Sequence, residues 1–323
     1  MTTQGLCFEH VLYPWRRAFL VFITFERSGS RRSAAPAQLK HPCSLRVKRV
    51  GEALCYLLKY MKFCRFQIND QPQYGLVESV AGHEVITRLL LREPSADLED
   101  LPSKRTDPLP LNEAVLLPPV NPSKIVCVGR NYREHAAELG NQVPAEPLLF
   151  LKPPSSLLAN GGTIIRPSLS QKVDHEAELG VIIGRACHKL GPDDDVRPYI
   201  LGYTCVNDVT ARDLQKKDGQ FTRGKGFDTF CPVGRLVTDE IDPRAGIGVQ
   251  ASVNGETRQD GNTRDLIFPV DVVIRYISQV MTLIPGDLIP TGTPSGVGPL
   301  EAGDVVQVTV EGVGTLINTV MDE

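Results

Sequence analysis

The 323-residue sequence lacks membrane-spanning segments, paired cysteines and a large excess of charge of either sign. Its longest mostly apolar run, residues 18–25, is far shorter than the roughly 20 residues that a transmembrane helix needs. The eight cysteines form no Cys-x-x-Cys pair, which argues against a disulfide framework or structural zinc site and for a reducing compartment. A net charge of -3 gives no general reason to bind nucleic acid. We therefore expect a cytoplasmic globular protein without a membrane or nucleic-acid partner.

Several familiar nucleotide-binding and catalytic motifs are also missing. The sequence contains neither the Gly-x-Gly-x-x-Gly turn of dinucleotide-binding domains nor the Gly-x-x-x-x-Gly-Lys-Ser/Thr loop that binds phosphates. His-Glu-x-x-His and Gly-x-Ser-x-Gly do not occur either. These absences remove the main support for a dehydrogenase, a P-loop NTPase, a zinc protease or an α/β-hydrolase.

Residues 1–60 differ in charge from the rest of the chain. They contain ten Lys and Arg residues against three acids, whereas the remainder contains 25 against 35. An export signal, an organelle transit peptide and a basic patch for nucleic acid or lipid are alternative interpretations of this segment. We predict a poorly ordered basic extension, from a leader or an overlong start, with Met61 opening the folded protein.

Residues 61–115 are predicted to form a small N-terminal β domain and linker, and residues 116–323 a second, larger domain. Short strand-like runs fill 62–92, and residues 93–122, rich in Pro, Asp and Leu, resemble a linker. Strand patterns follow at 124–128, 148–151, 179–183, 201–206, 248–253, 287–290 and 304–310, with helical patterns at 132–139 and 270–282. Because strands outnumber helices without regular β-α-β alternation, we predict a sheet-dominated α+β fold rather than a Rossmann domain or a TIM barrel.

Three acids stand next to buried strand patterns. Glu176 and Glu178 are two residues apart, so they project from the same face of an extended strand and repel one another unless a cation lies between them. Asp208 follows the apolar run 201–206. Taken alone, a Glu-x-Glu pair is typical of a solvated edge. Three oxygen ligands without Cys nearby would instead suit Mg²⁺ or Mn²⁺.

Two further elements carry polar groups that could act in catalysis or binding. His135 and Glu138 are three residues apart on a predicted helix, so the carboxylate can hold the imidazole and raise its basicity. Residues 291–298 form a glycine-rich turn whose backbone N–H groups and hydroxyls could hold a carboxylate. An ordinary charged surface helix and a plain glycine turn are the alternatives.

Five ordered motifs connect these elements. They are 124–135 (KIVCVGRNYREH), 175–180 (HEAELG), 207–213 (NDVTARD), 225–232 (KGFDTFCP) and 291–294 (TGTP). In this order they resemble the fumarylacetoacetate hydrolase (FAH) family, within its acylpyruvase and 2-hydroxyhepta-2,4-diene-1,7-dioate isomerase group, over about 121–323. The resemblance implies that residues 116–323 form the catalytic domain, with the family's mixed β-sandwich roll as its fold, and that the protein is a homodimer.

The resemblance also implies roles for individual residues. Glu176, Glu178 and Asp208 match ligands of Mg²⁺, with Mn²⁺ or Ca²⁺ as possible substitutes. His135 and Glu138 match a general-base dyad on a segment that closes over the substrate. Lys225 matches a lysine that polarises a carbonyl or stabilises an enolate. The implied substrate-binding residues are Arg212, Gln215, Thr293, Arg130 and Lys152.

The activity implied is that of a Mg²⁺-dependent enzyme acting on small 2-oxo acids. His135, oriented by Glu138, is expected to deprotonate a water that attacks the distal carbonyl of an acylpyruvate, and cleavage of the C–C bond then leaves a pyruvate enolate. Isomerisation of an unsaturated 2-oxo diacid and decarboxylation or tautomerisation of oxaloacetate use the same enolate stabilisation and are the alternatives. A metal-binding homologue without activity is the non-enzymatic alternative.

Overall fold

The computed structural model describes residues 61–95 and 102–323, so the predictions for residues 1–60 lie outside the described part. In these residues the strands are β1 (Lys62–Ile68), β2 (Gln71–Val80), β3 (His83–Leu90), β4 (Ser103–Pro110), β5 (Leu116–Leu117), β6 (Ile125–Gly129), β7 (Leu148–Lys152), β8 (Leu157–Leu158), β9 (Thr163–Arg166), β10 (Val173–His175), β11 (Ala177–Ile183), β12 (Ile200–Asn207), β13 (Thr210–Ala211), β14 (Cys231–Pro232), β15 (Val237–Thr238), β16 (Gly248–Val253), β17 (Glu256–Asn262), β18 (Leu288–Pro290), β19 (Gly298–Pro299), β20 (Val305–Val310) and β21 (Gly314–Asp322). The α-helices are α1 (Arg133–Glu138), α2 (Arg212–Asp218), α3 (Thr222–Lys225) and α4 (Val270–Val280). The predicted sheet-dominated α+β class is confirmed.

The strands assemble into one large sheet and three smaller ones within the described residues. The large sheet has the order β4-β3-β2-β1-β15-β12-β11-β18-β6-β7, with β5 also paired to β1. A five-stranded sheet runs β17-β16-β20-β21-β9, a three-stranded sheet runs β13-β10-β19, and β14 pairs with β8. Strands from both of the predicted domains, 61–115 and 116–323, therefore lie in the same large sheet.

The N-terminal strands follow from their turn residues. Asn69 and Asp70 join β1 to β2 with φ values of 50° and 59°, and Ala81 and Gly82 join β2 to β3 with φ values of 51° and 83°. Two successive positive φ values give the tight turn whose twist matches paired antiparallel strands, and Asn, Asp and Gly tolerate them best. These turns divide the strand-like runs predicted over 62–92 into β1, β2 and β3.

The linker prediction for 93–122 is wrong at two places. Residues 103–110 form β4, which pairs antiparallel with β3, and residues 116–117 form β5, which pairs with β1. Their polar, proline-containing sequence resembles a linker because β4 lies at the edge of the large sheet, where one side of the strand needs no partner and proline is tolerated. None of the helices in the described part of the chain has the length and apolar character needed to cross a membrane.

Two hydrophobic clusters cover the two faces of the large sheet. On β6, Val126 and Val128 belong to the cluster that also contains residues of α4 and of the five-stranded sheet, whereas Ile125 and Cys127 belong to a second cluster with Phe63. Alternate residues of a strand point to opposite faces, so a strand buried on both sides is apolar at every position. This explains the uninterrupted apolar run that predicted a strand at 124–128.

Candidate active site

The acidic cluster, Glu176, Glu178 and Asp208, forms where the chain passes from one sheet to another. Strand β10 belongs to the three-stranded sheet and β11 to the large sheet, and Glu176 lies between them. The continuous strand predicted through Glu176 is therefore wrong at that residue. Antiparallel pairing sets Ala177 opposite Asn207, and the Asp208 N–H donates to the Glu176 carbonyl at 2.8 Å. Strand register thus brings Asp208 beside the two glutamates.

The carboxylates of the acidic cluster are close together and buried. One oxygen from each lies within 4.8 Å of the others, and the residues are 4%, 2% and 1% exposed in sequence order. Carboxylate oxygens are the ligands that hard divalent cations such as Mg²⁺ and Mn²⁺ prefer. This predicted constellation is assembled by the fold, and its three residues could hold a metal ion.

Three cationic side chains contact the acidic cluster. Lys225 Nζ lies 2.7 Å from Glu176 and 2.6 Å from Asp208, and Lys152 Nζ lies 2.6 Å from Asp208. The Arg212 guanidinium donates to Glu176 at 2.5 Å and to Asp174 at 2.9 Å. Lys152 and Lys225 are themselves 1% and 2% exposed. The two buried lysines are tolerated because each is paired with a carboxylate.

The two glutamates differ in their electrostatic surroundings. Burial raises the pKa of Glu176, but the positive charges of Lys225 and Arg212 more than offset it and hold the pKa well below its usual range. Burial also raises the pKa of Glu178, and there the negative charges of Asp208 and Glu176 add to the effect, so this pKa lies well above its usual range.

Glu178 is therefore the carboxylate that most lacks a positive partner. Its Oε2 accepts a hydrogen bond of 2.7 Å from the Gly292 N–H, and no ion pair among the described residues involves it. A divalent cation would relieve the repulsion that Glu178 experiences from Asp208 and Glu176. The three carboxylate oxygens of the cluster, and the absence of an ion-pair partner for Glu178 among the described residues, fit such an ion.

The predicted base lies on the short helix α1. His135 is 4% exposed, and its Nδ1 lies 3.5 Å from Glu138 Oε2. Burial lowers the pKa of His135; the charges of Glu176 and Glu138 oppose that shift, whereas those of Arg212 and Lys225 reinforce it. The net direction is downward, so the imidazole is neutral at neutral pH. The loop 291–298 donates hydrogen bonds both to Glu138 on this helix and to Glu178, so α1 adjoins the acidic cluster.

The loop 291–298 holds protein carboxylates with its backbone. Besides the bond from Gly292 to Glu178, the Gly296 N–H donates to both oxygens of Glu138 at 3.1 and 3.2 Å, and the Ser295 hydroxyl donates to Glu134 at 3.2 Å. Gly296 has a φ of 96°, and a Cβ there would lie 2.0 Å from the Arg258 carbonyl oxygen, so only glycine fits. The carboxylates that the loop holds belong to the protein itself, and the binding of a substrate carboxylate there stays a prediction.

The structure separates the five predicted substrate contacts into three kinds. Lys152 and Arg212 are bound to acids of the site, and Gln215 Oε1 accepts from Arg212 at 2.9 Å. Thr293 Oγ1 donates to the Ala177 carbonyl at 2.8 Å. Arg130 directly follows β6 with a φ of 55° and is half-buried. Their roles toward a substrate stay predictions.

An aromatic pair adjoins Lys225. Its Nζ lies 5.0 Å from the centroid of the Phe150 ring, and Phe150 contacts Phe221 edge to face with centroids 5.2 Å apart. Both rings are half-buried. Apolar surface is thus available next to the charged groups.

Several buried polar residues of the site were missed by the sequence analysis. Asn131 donates to the carbonyls of Phe268 and Thr291, and its own oxygen accepts from the Phe268 N–H. From β17, the Gln259 side chain accepts a hydrogen bond from the Ala177 N–H and donates one to Thr293 Oγ1. Asn131 lies inside the motif 124–135, and this position could have indicated that it belongs to the site. Gln259 lies in a polar stretch (ETRQDGN) whose pattern does not distinguish a buried glutamine from exposed ones.

Comparisons with known protein families agree with this architecture. Residues 124–321 match the model of the fumarylacetoacetate (FAA) hydrolase C-terminal domain, and residues 61–119 match the Rv2993c-like N-terminal model. The family resemblance inferred from the five motifs is confirmed.

Named relatives have different activities. The chain is 48% identical over 213 residues to an uncharacterized protein of Methanocaldococcus jannaschii, covering 66% of this chain and 89% of that protein. It is 47% identical over 201 residues to the mitochondrial oxaloacetate decarboxylase of Dictyostelium discoideum (59% and 90% covered). It is 39% identical over 274 residues to the 2,4-didehydro-3-deoxy-L-rhamnonate hydrolase of a Sphingomonas species (79% and 94% covered).

Solved structures share the fold. The 5-carboxymethyl-2-hydroxymuconate delta-isomerase of Mycobacterium smegmatis superposes with a TM-score of 0.74 at 38% identity, covering 81% of this chain and 100% of that one. The fumarylpyruvate hydrolase of Pseudomonas aeruginosa, in complex with Mn²⁺ and pyruvate, gives a TM-score of 0.59 at 32% identity, with 64% and 91% covered. The FAH-like fold predicted from the motifs is confirmed.

Proposed function

Because this chain belongs to the fumarylacetoacetate hydrolase family, we propose that it is a divalent-metal-dependent enzyme that hydrolyses a C–C bond in acylpyruvate-type 2-oxo acids. The observation that carries the proposal is a buried histidine, with Glu138 3.5 Å from its Nδ1, on a helix that the 291–298 loop joins to three converging carboxylates. Hydrolysis requires a base for water and a positively charged environment for the negative charge that develops in the substrate, and this site offers both.

The acidic cluster is assigned the metal. Glu176, Glu178 and Asp208 would hold Mg²⁺ or Mn²⁺, which when bound supplies a Lewis acid that polarises substrate oxygens. The Mn²⁺ and pyruvate in the P. aeruginosa fumarylpyruvate hydrolase support this assignment by similarity.

His135 is assigned the role of general base. Its Nδ1 faces Glu138, which leaves Nε2 to accept a proton from water. The hydroxide equivalent adds to the distal carbonyl carbon of the acylpyruvate, and the bond between that carbon and the pyruvyl carbon breaks. For acetylpyruvate the products are acetate and, after protonation of the enolate carbon, pyruvate.

Lys225 is assigned the stabilisation of that enolate. Its ammonium is held in place by Glu176 and Asp208 on one side and lies over the Phe150 ring on another. Burial by itself lowers the pKa of Lys225, but the charges of Asp208 and Glu176 outweigh it and keep the amine protonated. The half-buried rings of Phe150 and Phe221 are assigned the contact with the apolar part of an acyl group.

A second candidate is the decarboxylation or tautomerisation of oxaloacetate. The 47% identity to the Dictyostelium oxaloacetate decarboxylase favours it. Loss of CO₂ from oxaloacetate forms the same pyruvate enolate without an attacking water, so Lys225 would serve either reaction, whereas His135 would act on water only in the hydrolysis.

Proton NMR of the full chain with Mg²⁺ or Mn²⁺ tests these alternatives. Acetylpyruvate should give pyruvate and acetate in equal amounts; turnover of oxaloacetate alone, to pyruvate and CO₂, would replace hydrolysis by the second candidate. A shifted double bond in an unsaturated 2-oxo diacid would make the protein an isomerase.

A matched pair of variants connects the activity to the acidic cluster. Glu176→Gln should abolish turnover, because it removes a proposed metal ligand and an ion-pair partner of Lys225 and Arg212. Glu256→Gln, at an exposed position on β17, should behave as the wild type. Full activity of Glu176→Gln in buffer freed of metal would contradict the proposed function.

A further inference from the structure

Gln259 connects the five-stranded sheet to the segments 175–177 and 293–294, next to the acidic cluster, through four hydrogen bonds. Its side chain has no solvent exposure. Its Oε1 accepts from the Ala177 N–H at 2.9 Å and lies 3.1 Å from His175 Nδ1. Its Nε2 donates to Thr293 Oγ1 at 2.7 Å and to the Pro294 carbonyl at 2.8 Å. The hydrogen-bonding capacity of the amide is therefore fully used.

The partners leave only one orientation of the Gln259 amide. A backbone N–H can only donate and a carbonyl oxygen can only accept, so Oε1 must face Ala177 and Nε2 must face Pro294. It follows that His175 contacts an acceptor and carries its proton on Nδ1. The network is specific in direction, which a residue that only filled space would not require.

Gln259 touches both segments that surround Glu178. Ala177 separates Glu176 from Glu178 in the chain, and Thr293 follows Gly292, whose N–H donates to Glu178 Oε2. Thr293 also closes the circuit by donating to the Ala177 carbonyl at 2.8 Å. Any movement of the Gln259 side chain would therefore move the backbone next to Glu178 and the donor that holds its carboxylate.

We propose that Gln259 is a positioning residue that holds Glu176 and Glu178 at the spacing needed to bind a divalent cation. The inference rests on the proposed function, because it assumes that the acidic cluster binds the metal. Gln259 touches neither the substrate nor the metal in this scheme; it acts through Ala177 and the 292–294 segment. Replacing a residue that orients metal ligands typically weakens metal affinity about 10–100-fold.

Mn²⁺ titration of the full chain, followed by the loss of the EPR signal of the free ion, tests this role. We expect Gln259→Met, which keeps the length of the side chain but makes no hydrogen bonds, to weaken Mn²⁺ binding by about 10–100-fold. Gln259→Glu keeps the acceptor for Ala177 but places a second oxygen against the Pro294 carbonyl, so weaker binding is expected there too. Gln250→Met on the neighbouring strand β16 is the matched control, since Gln250 is exposed.

Thermal unfolding and near-UV circular dichroism of the same metal-free samples separate positioning from folding. The inference holds if a folded Gln259 variant binds Mn²⁺ more weakly while Gln250→Met does not. It is overturned if folded variants bind Mn²⁺ as tightly as the wild type, or if both variants fail to fold while the control folds.

A ligand variant keeps the two proposals distinguishable. Glu178→Gln should show no saturable Mn²⁺ binding in the range where the wild type saturates. Unchanged Mn²⁺ binding by Glu178→Gln would refute the metal site and hence the proposed function, whatever the Gln259 variants show. Loss of binding in Glu178→Gln with normal binding in both Gln259 variants would refute the positioning role alone.

Discussion

The acidic cluster and the base helix α1 are held in the protein by different means. Glu176, Glu178 and Asp208 are almost fully buried on or beside paired strands, and three cations bind Glu176 and Asp208. Helix α1 has six residues and no side-chain hydrogen bond at its N-cap, and Glu138 is 33% exposed. A helix of this length has little stability of its own, so its position depends on tertiary contacts.

Those contacts of α1 are few. His135 and Ala136 are buried, and two glutamates reach the 291–298 loop through Ser295 and the Gly296 N–H. The comparison shows that strand pairing and burial hold the proposed metal site in place. A short helix with few contacts holds the proposed base. Changes in the acidic cluster should therefore alter both stability and metal binding, and changes in α1 should alter catalysis alone.

The largest effect is expected from Asp208→Asn, which attacks the cluster. It removes the charge that pairs with Lys152 and Lys225, and losing one partner of a buried ion pair costs about 3–5 kcal/mol. Urea unfolding of the metal-free protein measures the loss, and Mn²⁺ titration should show that binding is lost as well. Asp260→Asn, at an exposed position, is the control; equal stability of the two variants would contradict the ion-pair account.

His135→Gln should separate catalysis from metal binding. A general base contributes about 10²–10⁴-fold to the rate, so kcat should fall by that factor while the Mn²⁺ affinity and the stability stay near those of the wild type. Arg133→Gln, exposed on the same helix, should keep full activity. A loss of Mn²⁺ binding in His135→Gln would mean that α1 and the cluster are not independent.

Glu178→Gln should have the opposite effect on stability from Asp208→Asn. Burial and the charges of Asp208 and Glu176 raise the pKa of Glu178 in the folded protein. The metal-free wild type therefore becomes less stable as the pH rises from the usual glutamate pKa of 4.5 toward the raised pKa of the folded state. The neutral glutamine removes this loss. In EDTA the variant should therefore melt at a higher temperature than the wild type near pH 7, with the difference shrinking as the pH falls to 4.5. A lower melting temperature at neutral pH would count against the assigned repulsion.

The smallest effect is expected from Glu138→Gln. Because the charge of Glu138 raises the pKa of His135 against the lowering caused by burial, its removal lowers that pKa further. The acid limb of the kcat/KM profile, expected below the ordinary histidine pKa of 6.5, should then move to still lower pH, with a smaller loss of rate than in His135→Gln. Glu134→Gln on the same helix should leave the limb in place; a shift to higher pH in Glu138→Gln would contradict the assignment.

Much of the fold was predictable because local patterns carry it. The apolar run at 124–128 and the helical spacing of 270–282 correspond to β6 and α4 within one or two residues at each end. The edge strand β4 was not predictable from its polar and proline-rich sequence, since its stability comes from pairing with β3. The end of the strand at Glu176 was missed for a related reason: a change of sheet leaves no mark on the alternation of polar and apolar residues.

The sequence by itself determined which chemical groups are available: the acids of the cluster, His135 and Lys225, which lie in motifs whose order identifies the family, and Glu138, three residues after His135. Only the tertiary structure decided how these groups are paired. Gln259 meets Ala177 across 82 residues, and Gly292 meets Glu178 across 114. Such bonds depend on the register between distant strands, which is set by burial over the whole core, so no local pattern of residues encodes them.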